Sequence, residues 1–571
     1  MYVSPTADYA FWWRQVLDGD RHFARHTADE VTVSDAIDVY AAAAEFVIET
    51  LHPLNAVGDR EGSRLDHGVV VSPPGFAAAY DSYVKGGWVT LDVPATAGGD
   101  GMPHLLTNPI EELWSAGNAA FTLCTGLSKG AMTAIAASGS DEQRATFLKP
   151  MLEGRWTGTM NLTEPQAGTD LASIRTTARP VEDGSWRLKG QKIFITWGDH
   201  ELAENIVHLV LARTPDAPPG LAGLSLFIVP KFLPGTEDEL GPRNSVTTVA
   251  LEHKLGIHAS PTCVLEYEDA TGFLLGEINR GLAGMFVMMN VSRIGIGVQG
   301  LGIADRAFQQ ARDYAQERVQ GRTIDRPEGT PIAGHPDVQR LLGSAQCRIS
   351  AMRGMLAQVS VWQDDAGAGD RTAAAFADFL APVVKGWFTE EAVGIASDAL
   401  QVHGGAGFIE ETGVAQHYRD VRIAPIYEGT TAIQANDLVG RKLVRDAGST
   451  ASALLSTVQA SVDMLRQVED DARALRAADR LQRAVDSMRA ATRILLDRAA
   501  DRPRDVAAAG VPYLTMWGLL IGGWMLARGF IASQLDGEVV ERRGTDLEFF
   551  GAHHLSRIAS LGEAVEAGEI S

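Results

Sequence analysis

A change of hydrophobic period at about residue 159, reversed at about residue 281, does most to limit what this chain can fold into. From Asp35 to about Glu153, apolar residues recur at three- and four-residue spacing, clearest over Ala36 to Leu51 and Asn108 to Ala137, which predicts amphipathic helices. From Thr159 to about Glu277 the text turns to short β-branched runs: Ile206 to Arg213, Leu224 to Val229, Val246 to Glu252 and Cys263 to Tyr267. Asp183-Gly184 is a hairpin signal between two such runs. After Asn279-Arg280-Gly281 the helical period returns over Met285 to Gln320, Pro336 to Gln363, Arg371 to Val402 and Thr431 to Arg445, a set of long helices suited to a bundle. The expected architecture is mainly α with a small antiparallel β domain. Its segments are an N-terminal extension (1–34), an N-terminal helical domain (35–158), a central β domain (159–280), a four-helix bundle (281–447) and an extra helical domain (448–571).

A length of 571 residues calls for several packed units, and 45% apolar with 21% charged residues can fill their cores. The net charge of −22 repels phosphate backbones and anionic lipid, so nucleic acid and membrane insertion are not expected. The apolar stretch Val511 to Ala527 is short for a membrane span and holds three glycines, so it is read as a buried helix. Cys124, Cys263 and Cys347 are too dispersed for a disulfide framework or a CxxC site. The histidine pairs His253/His258 and His553/His554 lack ligand partners at metal spacing, so no metal is expected. Met1 to Gln15 shows no basic-led apolar run, and a cytoplasmic location is expected. Gly404-Gly405-Ala406-Gly407 follows a helical run instead of a strand, which argues against a dinucleotide fingerprint.

Three segments stand out together. Met160 to Asp170 (MNLTEPQAGTD) is a strand running into a Pro/Gly turn; Lys192 to Gly198 (KIFITWG) is a strand with a hydroxyl between aromatics; Tyr427-Glu428-Gly429-Thr430 sets a carboxylate before a glycine ahead of a helix. Singly these read as a surface turn, a core strand, and a helix cap in which Thr430 caps and Glu428 is solvated.

In this order and at these separations the three segments resemble the acyl-CoA dehydrogenase family of flavoproteins, from about Gly87 to Lys442. Supporting text includes Glu252-His253-Lys254-Leu255-Gly256, Gly276-Glu277, Gln401 to Phe408 and Tyr418-Arg419-Asp420. The opening Tyr2-Val3-Ser4-Pro5 and the block after Gly448 resemble the long form of the family, which includes enzymes of methylthiopropanoyl-CoA and of broad-range fatty acyl-CoAs. The resemblance implies FAD as cofactor, with Met160, Leu162, Thr163, Phe194 and Thr196 at the isoalloxazine ring, which would accept a hydride at N5. Arg318, Gln401, Gly405 and Thr430 match positions that bind the rest of FAD, partly from a second subunit. Phe194 stands where many relatives carry Trp.

By the same resemblance Glu428 is the base that removes the α proton of an acyl-CoA, and Gly429 gives the thioester room. Thr169 and Arg293 match positions near the thioester and pantetheine arm. Ser292, at the position where some relatives place the base, is unable to serve. The implied partners are the acyl-CoA substrate, an electron-transferring flavoprotein and a second copy of the chain, as a homodimer or a tetramer. An oxidase that hands electrons to oxygen, and a non-catalytic flavin-binding relative, are the alternatives. DNA-associated relatives have a basic C-terminal face, whereas residues 451–571 here net −3.

Overall fold

The computed structural model describes residues 2–28, 30–235, 239–469, 471–534 and 537–569; the side chains of residues 290 and 291 also lie outside the description. The chain divides into two compact units: Phe46–Met102 with Gly117–Ser292, and Met1–Glu45 with Pro103–Ala116 and Arg293–Ser571.

The first unit is built on a seven-stranded sheet. Its strands are β1 (Trp156–Asn161), β2 (Thr177–Pro180), β3 (Trp186–Thr196), β4 (Asn205–Arg213), β5 (Leu224–Pro230), β6 (Val246–Leu251) and β7 (Thr262–Leu275). They are ordered β6-β7-β3-β2-β4-β1, with β5 pairing both β4 and β7. The Asp183-Gly184 signal is the β2–β3 hairpin, whose turn uses Gly184 at φ +83°. The sheet departs from the antiparallel expectation on both sides of β4: β1 and β4 run parallel from Trp156↔Asn205 to Asn161↔Val210, and β2 meets β4 in parallel at Thr177↔Arg213. Parallel neighbours need a crossover of a dozen or more residues, and the 162–204 connection, which carries β2 and β3, is long enough to supply it. The β domain is therefore mixed.

Strand β4 is buried along nearly its whole length, which is why its text is an apolar run broken only by His208 between Asn205 and Arg213. Val207, Leu209 and Leu211 join one core with Ile135, Met151, Met285 and Met288, while Val210 and Ala212 join the other with Ile195, Phe227 and Tyr267. A polar ladder crosses this core. The Thr157 hydroxyl meets His200 Nε2 at 2.9 Å, the Thr159 hydroxyl meets His208 Nδ1 at 2.7 Å, and Tyr267 donates to Asn161 Oδ1 at 2.9 Å. Burial pulls both histidines down to about 3, so at neutral pH they are uncharged members of the core.

The second unit is helical. Its bundle is formed by α1 (Gly281–Glu317, from Arg293 onward), α2 (Pro336–Gly367), α3 (Arg371–His403) and α4 (Thr431–Asn436), the last continued by a wider-turned segment, Asp437–Val444. Among the described residues the block after Gly448 adds six further helices and a short 3-10 turn, and its α5 (Gly510–Ala532) contains the predicted apolar run, almost wholly buried against α2, α3 and Gly537–His553. Among the described residues two helices, α1 and α5, are long and apolar enough to cross a membrane by length and composition alone. The glycines of α5 have a packing reason: a Cβ at Gly518 would lie 2.1 Å from the Trp387 ring, so only glycine lets α5 approach α3 this closely.

A buried charge network joins the N-terminal extension to the rest of this unit. Asp8 receives Arg353 at 3.3 Å, Arg542 at 2.8 Å and Arg543 at 3.0 Å. Arg353 also reaches Glu112 at 2.7 Å and Asp305 at 2.9 Å.

Candidate active site

In the helical unit, Tyr427 to Thr430 forms the turn that leads into α4. The Thr430 hydroxyl accepts the Ile433 N–H at 3.4 Å, the cap expected from sequence. Glu428 is not the solvated cap residue that the bland reading describes. It sits at φ +54°, followed by Gly429 at φ +90°. A left-handed residue other than glycine carries a strain of roughly 1 kcal/mol or more, which persists only where the surroundings enforce it. Here Gln434 Nε2 donates to the Glu428 and Gly429 carbonyls at 3.0 and 3.2 Å, and Lys385 Nζ donates to the Gly429 carbonyl at 2.6 Å. Tyr427 is tied to Gln299 through its hydroxyl. A Cβ at position 429 would lie 2.8 Å from Gln434 Nε2 and would push aside the side chain that holds the turn, and the φ of +90° itself favours glycine there.

The Glu428 side chain is enclosed by protein yet keeps part of its surface open. Burial pushes its carboxyl up to about 7, against the pull of Lys385 and Arg293. Burial likewise lowers the Lys385 ammonium to about 8, opposed by Glu428 and Glu390. Arg293, expected near the pantetheine arm, is buried and pairs with Asp437 at 2.9 Å, while its Nε–H has no partner among the described residues. Arg441 meets the same aspartate at 3.2 Å.

Arg318, Gln401 and Gly405 are exposed. The turns that carry them are brought together within this unit by the stacking of Tyr314 on His403, with ring centroids 4.3 Å apart. Beside them Phe408 is 90% exposed and Ile409 50% exposed.

In the sheet unit, Met160 and Leu162 lie at the end of β1, and Thr163 accepts the Ile193 N–H at 2.9 Å, which brings the first two sequence segments side by side. Strand β3 is bulged here, since its register against β7 jumps between Ile195 and Lys192. Phe194 takes φ +59° in that bulge and is 58% exposed. A bulge of this kind re-aims a side chain out of the pleat. The half-buried Met160, Thr163 and Thr196 flank it. An outward aromatic beside hydroxyls and an apolar strand end is the residue set that a flat, neutral, donor-seeking ring requires, so these residues fit a flavin. Thr169 lies exposed on the following turn, where its carbonyl accepts the Leu171 N–H at 3.2 Å.

Sequence reasoning did not single out what stiffens this corner. Glu164 and Lys192 form a buried ion pair at 2.8 Å, and Lys192 also donates to the Leu162 carbonyl at 2.9 Å. Glu164 accepts the N–H groups of Arg175 and Thr176 at 2.7 and 3.0 Å. Lys385 was also missed, although a single charge inside the apolar text Phe379 to Phe388 is a readable signal. The structure further groups His22, His26 and Asp365 at ligand-like separations, with His26 at 3.0 Å and Arg25 at 3.2 Å from Asp365. The Arg25 cation already engages the same carboxylate.

Comparison with known proteins covers most of the chain. Residues 35–155, 159–270 and 279–443 match the N-terminal, middle and C-terminal domains of acyl-CoA dehydrogenase, and 454–571 matches the acetyl-CoA dehydrogenase C-terminal-like region. The chain belongs to the acyl-CoA dehydrogenase family. It is 46% identical to the 3-methylmercaptopropionyl-CoA dehydrogenase of Ruegeria pomeroyi, over 96% of this chain and 94% of that one. It is 31% identical to a broad-specificity linear acyl-CoA dehydrogenase of Mycobacterium tuberculosis, over 99% of this chain and 97% of that one. An acyl-CoA dehydrogenase from Bacillus anthracis, solved with FAD, shares the fold with a TM-score of 0.77 at 23% identity, covering 98% of this chain and 91% of that one. As a member of the family, this acyl-CoA dehydrogenase is an FAD-dependent oxidoreductase. The Glu428 turn falls in the C-terminal-domain match, and the bulged β3 corner falls in the middle-domain match.

Proposed function

We propose that this protein removes the α proton and β hydride from an acyl-CoA thioester to give the trans-2-enoyl-CoA, with Glu428 as the base. The observation that carries this reading is the Glu428 carboxyl itself, held on a strained turn and pushed up to about 7. Such a base is about half ionised at neutral pH and far more basic than a solvated carboxylate, the combination that general-base catalysis near neutrality demands. The Glu428 carboxylate takes the proton as the Cα–H bond breaks, and that electron pair forms the Cα=Cβ bond as hydride leaves Cβ. FAD, when bound, supplies the two-electron acceptor. The Glu428 N–H is the donor that the family resemblance assigns to the thioester oxygen, where negative charge develops. Gly429 leaves room for the thioester.

The full-length likeness to the Ruegeria enzyme makes 3-methylmercaptopropionyl-CoA the first substrate to test, beside short linear acyl-CoAs. Reduced enzyme is expected to pass its electrons to an electron-transferring flavoprotein faster than to air. The reverse order would favour the oxidase reading. The functional state is read as a homodimer, with Arg318, Gln401, Gly405 and Thr430 contributing to FAD binding across subunits. The exposed Phe408 and Ile409 support a partner surface there. The apolar α5, by contrast, is covered by its own chain and adds nothing to the dimer argument.

Glu428→Gln tests the base. The variant should stay yellow and bind acyl-CoA, while flavin bleaching slows by ~10²–10⁴-fold. Bleaching at the wild-type rate would place the base elsewhere.

A further inference from the structure

We propose that Lys385 is a positioning residue for Glu428: its ammonium clamps the Gly429 carbonyl, fixing the left-handed Glu428-Gly429 backbone and setting a cation beside the carboxylate. The inference rests on the reading of Glu428 as the base and deepens it.

Lys385 lies in the middle of α3 with 0% of its surface exposed. A lysine is almost never fully buried unless a partner compensates its charge. Here Nζ donates to the Gly429 carbonyl at 2.6 Å, one peptide beyond the proposed base. The charged groups around the turn are few. Glu428 and Glu390 draw on Lys385, and Arg293 opposes them from α1. Glu390 is engaged by the Thr431 hydroxyl at 2.6 Å, and Arg293 by Asp437 at 2.9 Å, with Arg441 on the same aspartate. No side-chain donor among the described residues reaches the Glu428 carboxylate, and Tyr427 is turned to Gln299. Lys385 is thus a cation that holds the backbone carrying the carboxylate and lies within electrostatic range of it.

Two consequences separate this role from plain packing. Removing the charge raises the proton affinity of Glu428, because a nearby cation favours the ionised carboxylate. Removing the donor leaves the Gly429 carbonyl with only the longer Gln434 bond at 3.2 Å and lets the left-handed turn relax, which misplaces the base.

The experiment measures anaerobic flavin reduction of FAD-loaded protein by a saturating acyl-CoA from pH 5.5 to 9.5, for wild type, Lys385→Met, Lys385→Arg, Lys385→Gln and Glu428→Gln. Lys385→Met is expected to retain FAD, to move the acidic limb of the rate profile upward by about one unit, and to lower the alkaline plateau by roughly ten-fold. Lys385→Arg, which keeps the cation, should hold the limb near its wild-type position. If Lys385→Met does not fold, Lys385→Gln carries the test: it keeps a donor for the carbonyl without the charge, so its limb should rise while its plateau is better preserved. An unshifted limb and plateau in a folded Lys385→Met, or an unshifted limb in Lys385→Gln, overturns the proposal. If Glu428→Gln itself reduces flavin normally, the base reading has failed. If Glu428→Gln is inactive while the lysine variants behave as wild type, only the role of Lys385 has failed.

Discussion

Glu428→Gln should make the protein more stable at alkaline pH and leave it unchanged at acid pH. The folded-state carboxyl titrates at about 7, above its ordinary 4.5. Any stability tied to this group is therefore full below pH 4.5 and is lost as pH rises through about 7. Above both values the native state holds an anion in a site that disfavours it, and the upward shift is worth about 3 kcal/mol at 1.36 kcal/mol per unit. That figure is a maximum, because a neutral amide also deprives Lys385 and Arg293 of an attractive neighbour. For a unit of this size the gain corresponds to roughly 3 to 6 °C in the melting temperature. Gln keeps the size and amide geometry of the protonated acid, so the backbone strain at φ +54° is common to both proteins and cancels. Thermal melts of the FAD-loaded wild type and variant, without substrate, at pH 5, 6, 7, 8 and 9 provide the assay. The variant should already lead by about 1 kcal/mol at pH 5, the gap should widen up to about pH 7, and it should stay nearly constant from pH 8 to 9. A difference that does not change with pH, or a variant less stable at pH 8 than at pH 5 relative to wild type, would refute the claim that burial governs this carboxyl.

Three further outcomes follow from other parts of the molecule. Lys192→Met strands the buried Glu164 and should cost about 3–5 kcal/mol in denaturant unfolding; adding Glu164→Gln should recover most of the loss, because a buried pair nets little when both members go. Asp8→Ala leaves Arg353 and Arg543 short of a carboxylate and should cost about 3 kcal/mol, with limited proteolysis now cutting within the first 34 residues, which the wild type protects. Light scattering should give about twice the 61.1 kDa chain mass; a stable monomer would contradict the dimer reading.

Much of the architecture is legible because it depends on periods and on turn chemistry that a sequence carries locally. The helical text of Pro336 to Gln363 and Arg371 to Val402 becomes α2 and α3 within a few residues, and Asp183-Gly184 becomes a hairpin. The direction of β1 against β4 is not local: apolar alternation is the same for parallel and antiparallel neighbours, and only the length of the 162–204 connection hints at the crossover. The site shows the same division. The segment around Glu428 could be located from residue types, but its left-handed backbone is imposed by Gln434 and Lys385, one on α4 and the other in the middle of a distant helix. Phe194 is similar, since nothing in Lys192 to Gly198 announces that one residue leaves the pleat; the bulge exists in the register of β3 against β7. Glu164 and Lys192 stood inside the quoted segments, yet their pairing depends on the return of β3 beside the end of β1. What sequence misses here is one kind of object: long-range contacts that hold a polar group in a conformation it would not adopt alone. These contacts surround the residues assigned to chemistry, because a carboxylate becomes a useful base only when protein, instead of water, sets its surroundings.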